Sequence, residues 1–111
     1  MNTQILHVRD PWLDYIQNGI KVVEGRKGNI AKYINWIGKK ITFYNEVRKV
    51  EVEVLKLEHY DDLYSYLEKE GYNKVLPNIE SYDTAVDEYH KFYSDEDIKI
   101  AGGMVAIYIK V

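Results

Sequence analysis

The chain reads as an α+β domain: a small, partly closed antiparallel β-barrel with about three peripheral helices. Three observations predict it. Val50, Val52 and Val54 alternate with Lys49, Glu51 and Glu53, the pattern of a half-buried antiparallel strand. The strand-like runs neighbour one another in hairpins instead of alternating regularly with helices, which argues against a parallel βαβ fold. Closing such a sheet would also remove its exposed edges. The 111 residues suit one domain, 1–111, long enough to bury a core without disulfides or metal.

In chain order, Thr3 to Val8 reads as a first short strand, centred on Ile5 and Leu6. Asp10-Pro11 starts a helix, the aspartate capping free N–H groups and the proline filling the first turn. Trp12, Tyr15 and Ile16 form its apolar stripe, and Asn18-Gly19 ends it. Lys21 to Arg26 is extended around Val22-Val23. Residues 27–39 are linker-like or weakly helical, broken at Gly38. Lys40 to Tyr44 is a strand, and Asn45-Glu46 turns it into the alternating run from Val47 to Leu57. Asp61 or Asp62 caps a helix to about Glu70, stopped by Gly71. Asn73 to Ile79 is a loop containing Pro77, and Ser81 caps a helix to about Tyr93. Ser94 to Gly103 reads as a loop, and Met104 to Val111 as a closing strand with Val105, Ile107 and Ile109 on one face.

Composition narrows the function classes. There is no cysteine, which excludes disulfides and cysteine metal sites. Apolar runs are too short for a membrane span, and the start lacks the pattern of a signal peptide. The expected location is therefore cytoplasmic, with the nucleus an alternative. The net charge of -3 argues against a chain that binds nucleic acid over its whole surface. Its distribution is uneven. Residues 20–50 carry eight Lys/Arg against Glu24 and Glu46, whereas 58–97 carry twelve Asp/Glu against Lys69, Lys74 and Lys91. Such asymmetry suits one side facing a polyanion, or simply two solvated faces of opposite sign. His7, His59 and His90 lack metal-ligand spacing, and His59 with Asp61 and Asp62 is a weak cluster, so neither metal nor cofactor is expected. No serine or cysteine nucleophile arrangement is visible, and Gly102-Gly103 precedes a strand, unlike a phosphate-binding loop.

The densest chemistry is in Gly19-Ile20-Lys21-Val22-Val23-Glu24-Gly25-Arg26. A lysine can hold a phosphate, or act as base or nucleophile if burial lowers its pKa. A glutamate can serve as general acid or base, or accept from the amino group of a base edge. An arginine can clamp a phosphate or carboxylate. The plainer alternative is an ion-paired strand with no ligand. A regular strand puts Glu24 and Arg26 on one face and Lys21 on the other, so convergence requires an irregular start after Gly19 or a distortion at Gly25.

This run resembles the G-x-K-x-x-E-x-R signature of the ASCH domain family, which is related to the PUA domain. The preceding Pro11-Trp12-Leu13-Asp14-Tyr15-Ile16 is similar to the helix that leads into that signature. Val75-Leu76-Pro77, the helix with Glu88-Tyr89 and Phe92-Tyr93, and the last apolar strand extend the likeness over nearly the whole chain. The resemblance implies a PUA-like barrel and a cleft lined by the motif, with Lys21, Glu24 and Arg26 in the signature positions. It implies binding of RNA, a nucleotide or a nucleoside. The alternative it offers is a small metal-independent hydrolase, a ribonuclease or an amidohydrolase acting on a modified cytidine, with Lys21 and Glu24 catalytic. In the amidohydrolase branch a threonine replaces the motif acid and a glutamate sits on the last helix. This chain has Glu24 in the motif and Thr84 near the second place, with Asp83, Asp87 and Glu88 close by.

Other candidates complete the expected site. Tyr89 and Tyr93 lie four residues apart on a helical face, as a wall for a base or as core. Trp36, beside a basic stretch, is a stacking candidate, while Trp12 reads as core. Lys39, Lys40, Arg48 and Lys49 flank the hairpin as phosphate contacts or ordinary solvated ends. A third class of function is a protein-interaction module using Asp83, Asp87 and Glu88.

Overall fold

The computed structural model describes residues 5–111. Five strands form one sheet: β1 (Ile5–His7), β2 (Val23–Lys27), β3 (Lys40–Tyr44), β4 (Lys49–Tyr60) and β5 (Met104–Lys110). Six α-helices surround it: α1 (Trp12–Gln17), α2 (Ile30–Tyr33), α3 (Leu63–Glu70), α4 (Tyr72–Val75), α5 (Tyr82–His90) and α6 (Asp95–Ala101). A 3-10 turn follows α2 at Ile34–Trp36. The strand order is β1-β3-β4-β5-β2. Every pairing is antiparallel except β1 with β3, which is parallel. The sheet curls into a half-barrel, so the α+β expectation holds.

The core lies on both faces of β5. Val105, Ile107 and Ile109 pack with Phe43, Val52, Val54 and Leu13 on one side. Met104 and Ala106 pack with Leu63, Tyr66, Leu67 and Tyr89 on the other. Adjacent strand residues point to opposite faces. Burial on both sides therefore explains why β5 is nearly continuous in apolar residues while β4 alternates. The register of β4 against β5 shifts between Val54 and Lys56. This bulge leaves Leu55 half exposed and returns Leu57, opposite Ile107, to the face of Val54.

Several local expectations hold for chemical reasons. Asn45 turns the hairpin by accepting from the Val47 and Arg48 N–H groups at 2.8 and 3.0 Å. Asp62 and Ser81 cap α3 and α5 through the N–H groups of Ser65 and Thr84.

Others require correction. The expected loop from Ser94 to Gly103 instead contains α6: Ser94 and Asp97 make a reciprocal capping box, and Gly102 ends the helix in a left-handed conformation. The segment from Asn73 includes most of the short α4. The weakly helical region contains α2, capped by Asn29. Pro11 sits at the N-cap of α1 instead of its first turn, although Asp10 still accepts from the Asp14 N–H. Helix α5 stops at His90, so Tyr93 lies beyond its end. The expected first strand is seen as Ile5–His7, and Thr3 lies outside the described residues. Among the described residues no helix is long and apolar enough to cross a membrane.

Where β4 meets β5, Gly103 has a φ of +114°, and a Cβ there would lie 2.2 Å from the Tyr60 carbonyl oxygen. Backbone cannot yield as a side chain can. Gly103→Ala is expected to cost about 3 kcal/mol or more, lowering the melting temperature by roughly 10 °C or more. Thermal denaturation followed by circular dichroism measures this, and an unchanged midpoint would contradict the assigned backbone.

Candidate functional site

The three charged motif residues converge, by a route that strand geometry alone does not supply. The strand begins at Val23, not Lys21. The N–H groups of Ile20 and Lys21 both donate to the Tyr15 carbonyl at 2.8 and 3.1 Å, wrapping this segment around the end of α1. Lys21 therefore precedes the pleat and escapes its alternation.

The Lys21 side chain is fully buried. Its Nζ donates to the Val23 carbonyl at 2.5 Å and to the Val75 carbonyl at the end of α4, and lies 3.4 Å from Glu24 Oε1. An ammonium has three donors, and three acceptors surround this one. Burial lowers the Lys21 pKa from its ordinary 10.5, against the opposing pull of Glu24. The other carboxylate oxygen of Glu24 accepts from Arg26 Nε at 2.9 Å and lies 2.9 Å from Nη2 as an ion pair. Arg26 Nη2 also donates to the His7 carbonyl at 2.5 Å. Since β1 and β2 are the two edges of the sheet, Arg26 bridges the open seam of the half-barrel. Burial works against the Arg26 charge, but Glu24 outweighs it and raises the pKa.

A cavity of about 360 Å³ opens above this network. Glu24, Gly25 and Arg26 form its floor; His7, Val8, Arg9 and Trp12 form one wall, and Glu88, Tyr89, Phe92 and Tyr93 another. Gly25 permits the packing beneath. A Cβ there would come within 2.2 Å of the Tyr66 hydroxyl and 2.9 Å of the Tyr89 hydroxyl, which bond each other at 2.7 Å. Glu88 accepts from the Trp12 indole at 3.3 Å and from Lys91 at 2.9 Å. Burial opposes its charge, but these donors hold its carboxyl below the ordinary range, so it faces the cavity as an acceptor. Tyr93 is raised, chiefly by burial, with Arg26 pulling the other way.

The remaining candidates are dispersed. Lys21 does not line the cavity; it stands behind Glu24. Trp36 packs edge-on against Tyr33, with ring centroids 5.1 Å apart, on the core. Arg48 bonds Asp14, Gln17 and Asp10 at 2.9, 2.8 and 3.2 Å, tying the β3–β4 hairpin to α1. Lys40 lies 3.7 Å from Glu51. It and Lys39 sit at the end of β3 away from His7, and none of Lys39, Lys40, Arg48 or Lys49 lines the cavity. Thr84 bonds Ser81 at the start of α5. The three histidines have separate partners: His7 bonds Glu46, His59 the Gly102 carbonyl and His90 Asp95. The sequence did not single out Arg9, gave Trp12 to the core, quoted Phe92 only as part of the resemblance, and named Glu88 both near the place of the family's last-helix glutamate and as part of a protein-facing surface. Only the approach of α5 to the β1–α1 turn joins them.

The ASCH domain model matches residues 6–110, so the chain belongs to the ASCH domain family. It is similar to the crystal structure of hypothetical protein PH0355, with 31% identity, a TM-score of 0.84 and 98% of each chain covered. It is also similar to the solution structure of protein PF0455 from Pyrococcus furiosus, with 28% identity and a TM-score of 0.76 over 98% of this chain and 96% of that one. No curated protein sequence matches it.

Lys21→Met is expected to cost roughly 3 kcal/mol at neutral pH by leaving buried acceptors unpaired. The pH dependence has a definite sign. A lysine with a lowered folded pKa binds its proton less tightly when folded, so stability rises with pH between the folded value and the ordinary 10.5. The margin of the native chain over Lys21→Met should therefore widen through that alkaline window. Urea titrations at stepped pH test it, and a margin that narrows contradicts the burial assigned to Lys21.

Proposed function

We propose that this member of the ASCH domain family binds RNA or a nucleotide, taking one nucleobase into the cavity above Glu24. The observation that carries the reading is Glu24, held between the buried Lys21 and Arg26, on the floor of an aromatic-walled cavity. Its volume falls near the lower end for small-molecule sites, which suits one nucleoside unit better than a duplex. Trp12, Tyr89 and Tyr93 offer planar apolar surface for a base. Glu24 and Glu88 offer fixed acceptors for ring or exocyclic N–H donors. In this scheme Lys21 is a positioning residue. It holds Glu24 in one rotamer without touching the ligand, so the reorganisation on binding is small.

A second reading, hydrolysis at the same site, is favoured by the Lys21–Glu24 pair itself. A lysine with a lowered pKa against a carboxylate is an arrangement found in proton-transfer chemistry. Lys21 would then act through Glu24, the member of the pair that reaches the cavity.

Fluorescence anisotropy with short single-stranded RNAs, and calorimetry with ribonucleosides, test the binding reading at low salt. Glu24→Gln, which keeps the shape and removes the charge, should weaken binding by about 10-fold to 100-fold while the melting transition persists. Absence of binding, or indifference to Glu24→Gln, would refute it. Product formation in the same mixtures, lost in Glu24→Gln, would establish the hydrolase.

A further inference from the structure

Resting on that reading, we propose that the bound unit is phosphorylated, with its base on the Glu24 floor and its phosphate at the cavity mouth, held by Arg9 where it lies over Phe92. The argument begins with which cations are already committed. Arg26 is taken up by Glu24 and the His7 carbonyl, and Lys21 by Glu24 and two carbonyls. His7 is bonded to Glu46. Among the described residues that line the cavity, Arg9 is the one cationic side chain without a carboxylate within 4 Å.

The charge of the interior points the same way. A phosphate on the floor would meet Glu24 and would lose its water beside that carboxylate, which is unfavourable on both counts, whereas Glu88 on the wall lies under the influence of the Arg9 charge. At the mouth it keeps part of its hydration. Arg9 is exposed there, with its guanidinium carbon 5.4 Å from the centroid of Phe92. The ring face attracts the guanidinium without using its N–H donors, which can then make a forked contact with phosphate oxygens. Phe92 is itself 52% exposed, more than a core aromatic would be, which is consistent with a platform for the arginine. Lys27 repeats the arrangement over Tyr93, with Nζ 5.5 Å from that ring. Lys27 does not itself line the cavity, but it puts a second positive charge beside Tyr93, which does. The ligand class is therefore a nucleoside monophosphate, free or as the terminal unit of a single strand.

Calorimetry with the four ribonucleosides and their 5′- and 3′-monophosphates, on the native chain and on Arg9→Ala, tests the assignment. The native chain should bind at least one monophosphate roughly tenfold more tightly than its nucleoside. Arg9→Ala should erase that preference, weakening monophosphate binding roughly tenfold more than nucleoside binding, with Arg9→Lys restoring part of it. Arg9 is exposed, so the variant is expected to fold, and its melting curve checks this. A native chain without the preference, or an Arg9→Ala chain that keeps it, overturns the phosphate assignment while leaving nucleobase binding intact. Failure of every nucleoside and nucleotide to bind overturns the nucleobase reading and this inference with it.

Discussion

The site depends on one carboxylate shared between two cations. Glu24 has Lys21 on one oxygen and Arg26 on the other, and each cation also bonds backbone from elsewhere in the fold. Lys21 reaches the end of α4, and Arg26 reaches β1. Strand β2, an edge strand, is thereby fixed at both ends of its motif to elements that its own sheet hydrogen bonds never touch. Burying an ammonium costs several kcal/mol, which only a full set of acceptors offsets. Lys21 has that set, and so the register of β2, the position of α4 and the rotamer of Glu24 are determined together. A pair assembled merely for stability could be replaced by apolar residues. What this network adds is a carboxylate held in one orientation against a cavity wall.

The elements with period-2 or period-3.6 signals were legible, as were the caps at Asp62 and Ser81, because each is set by neighbours in sequence. Helix α6 was legible in principle: Ser94-x-x-Asp97 is a capping box, and its acidic composition with the glycines that follow made it resemble a loop. The bulge at Leu55 was also legible in principle: in Val54-Leu55-Lys56-Leu57 the apolar positions slip from even to odd, the phase change that an extra residue in the strand produces. Of the site, the floor could be read from the motif, but the mutual orientation of Lys21 and Glu24 could not. It depends on the Tyr15 carbonyl gathering two N–H donors beyond the helix end, a contact that leaves no periodic trace. The two walls meet where Trp12 donates to Glu88, 76 positions away, and only tertiary packing creates that contact.

Charge shows the limit of reading by segment. The basic stretch 20–50 suggested a polyanion-facing side, yet much of its charge is spent internally. Arg48 serves α1 through Asp10 and Asp14, Arg26 serves Glu24, and Lys40 faces Glu51 across the hairpin. The acidic half, in turn, contributes Glu88 to the cavity. Segment charge and surface charge part company because ion pairs form across the fold, between segments of opposite sign.

This redistribution decides what kind of recognition the cavity can perform. With two carboxylates and two arginines along its lining, its interior has little net field with which to attract an anion. Discrimination must then come from where acceptors and flat rings stand, which are short-range terms sensitive to fractions of an ångström. In the proposed binding mode, Coulomb attraction is left to Arg9, exposed over Phe92, where solvent screening keeps it weak. With Glu24 fixed through buried contacts and Arg9 left in solvent, that mode separates identity from affinity: Glu24 would read the hydrogen-bonding pattern of what enters, and Arg9 would determine how long a charged ligand stays.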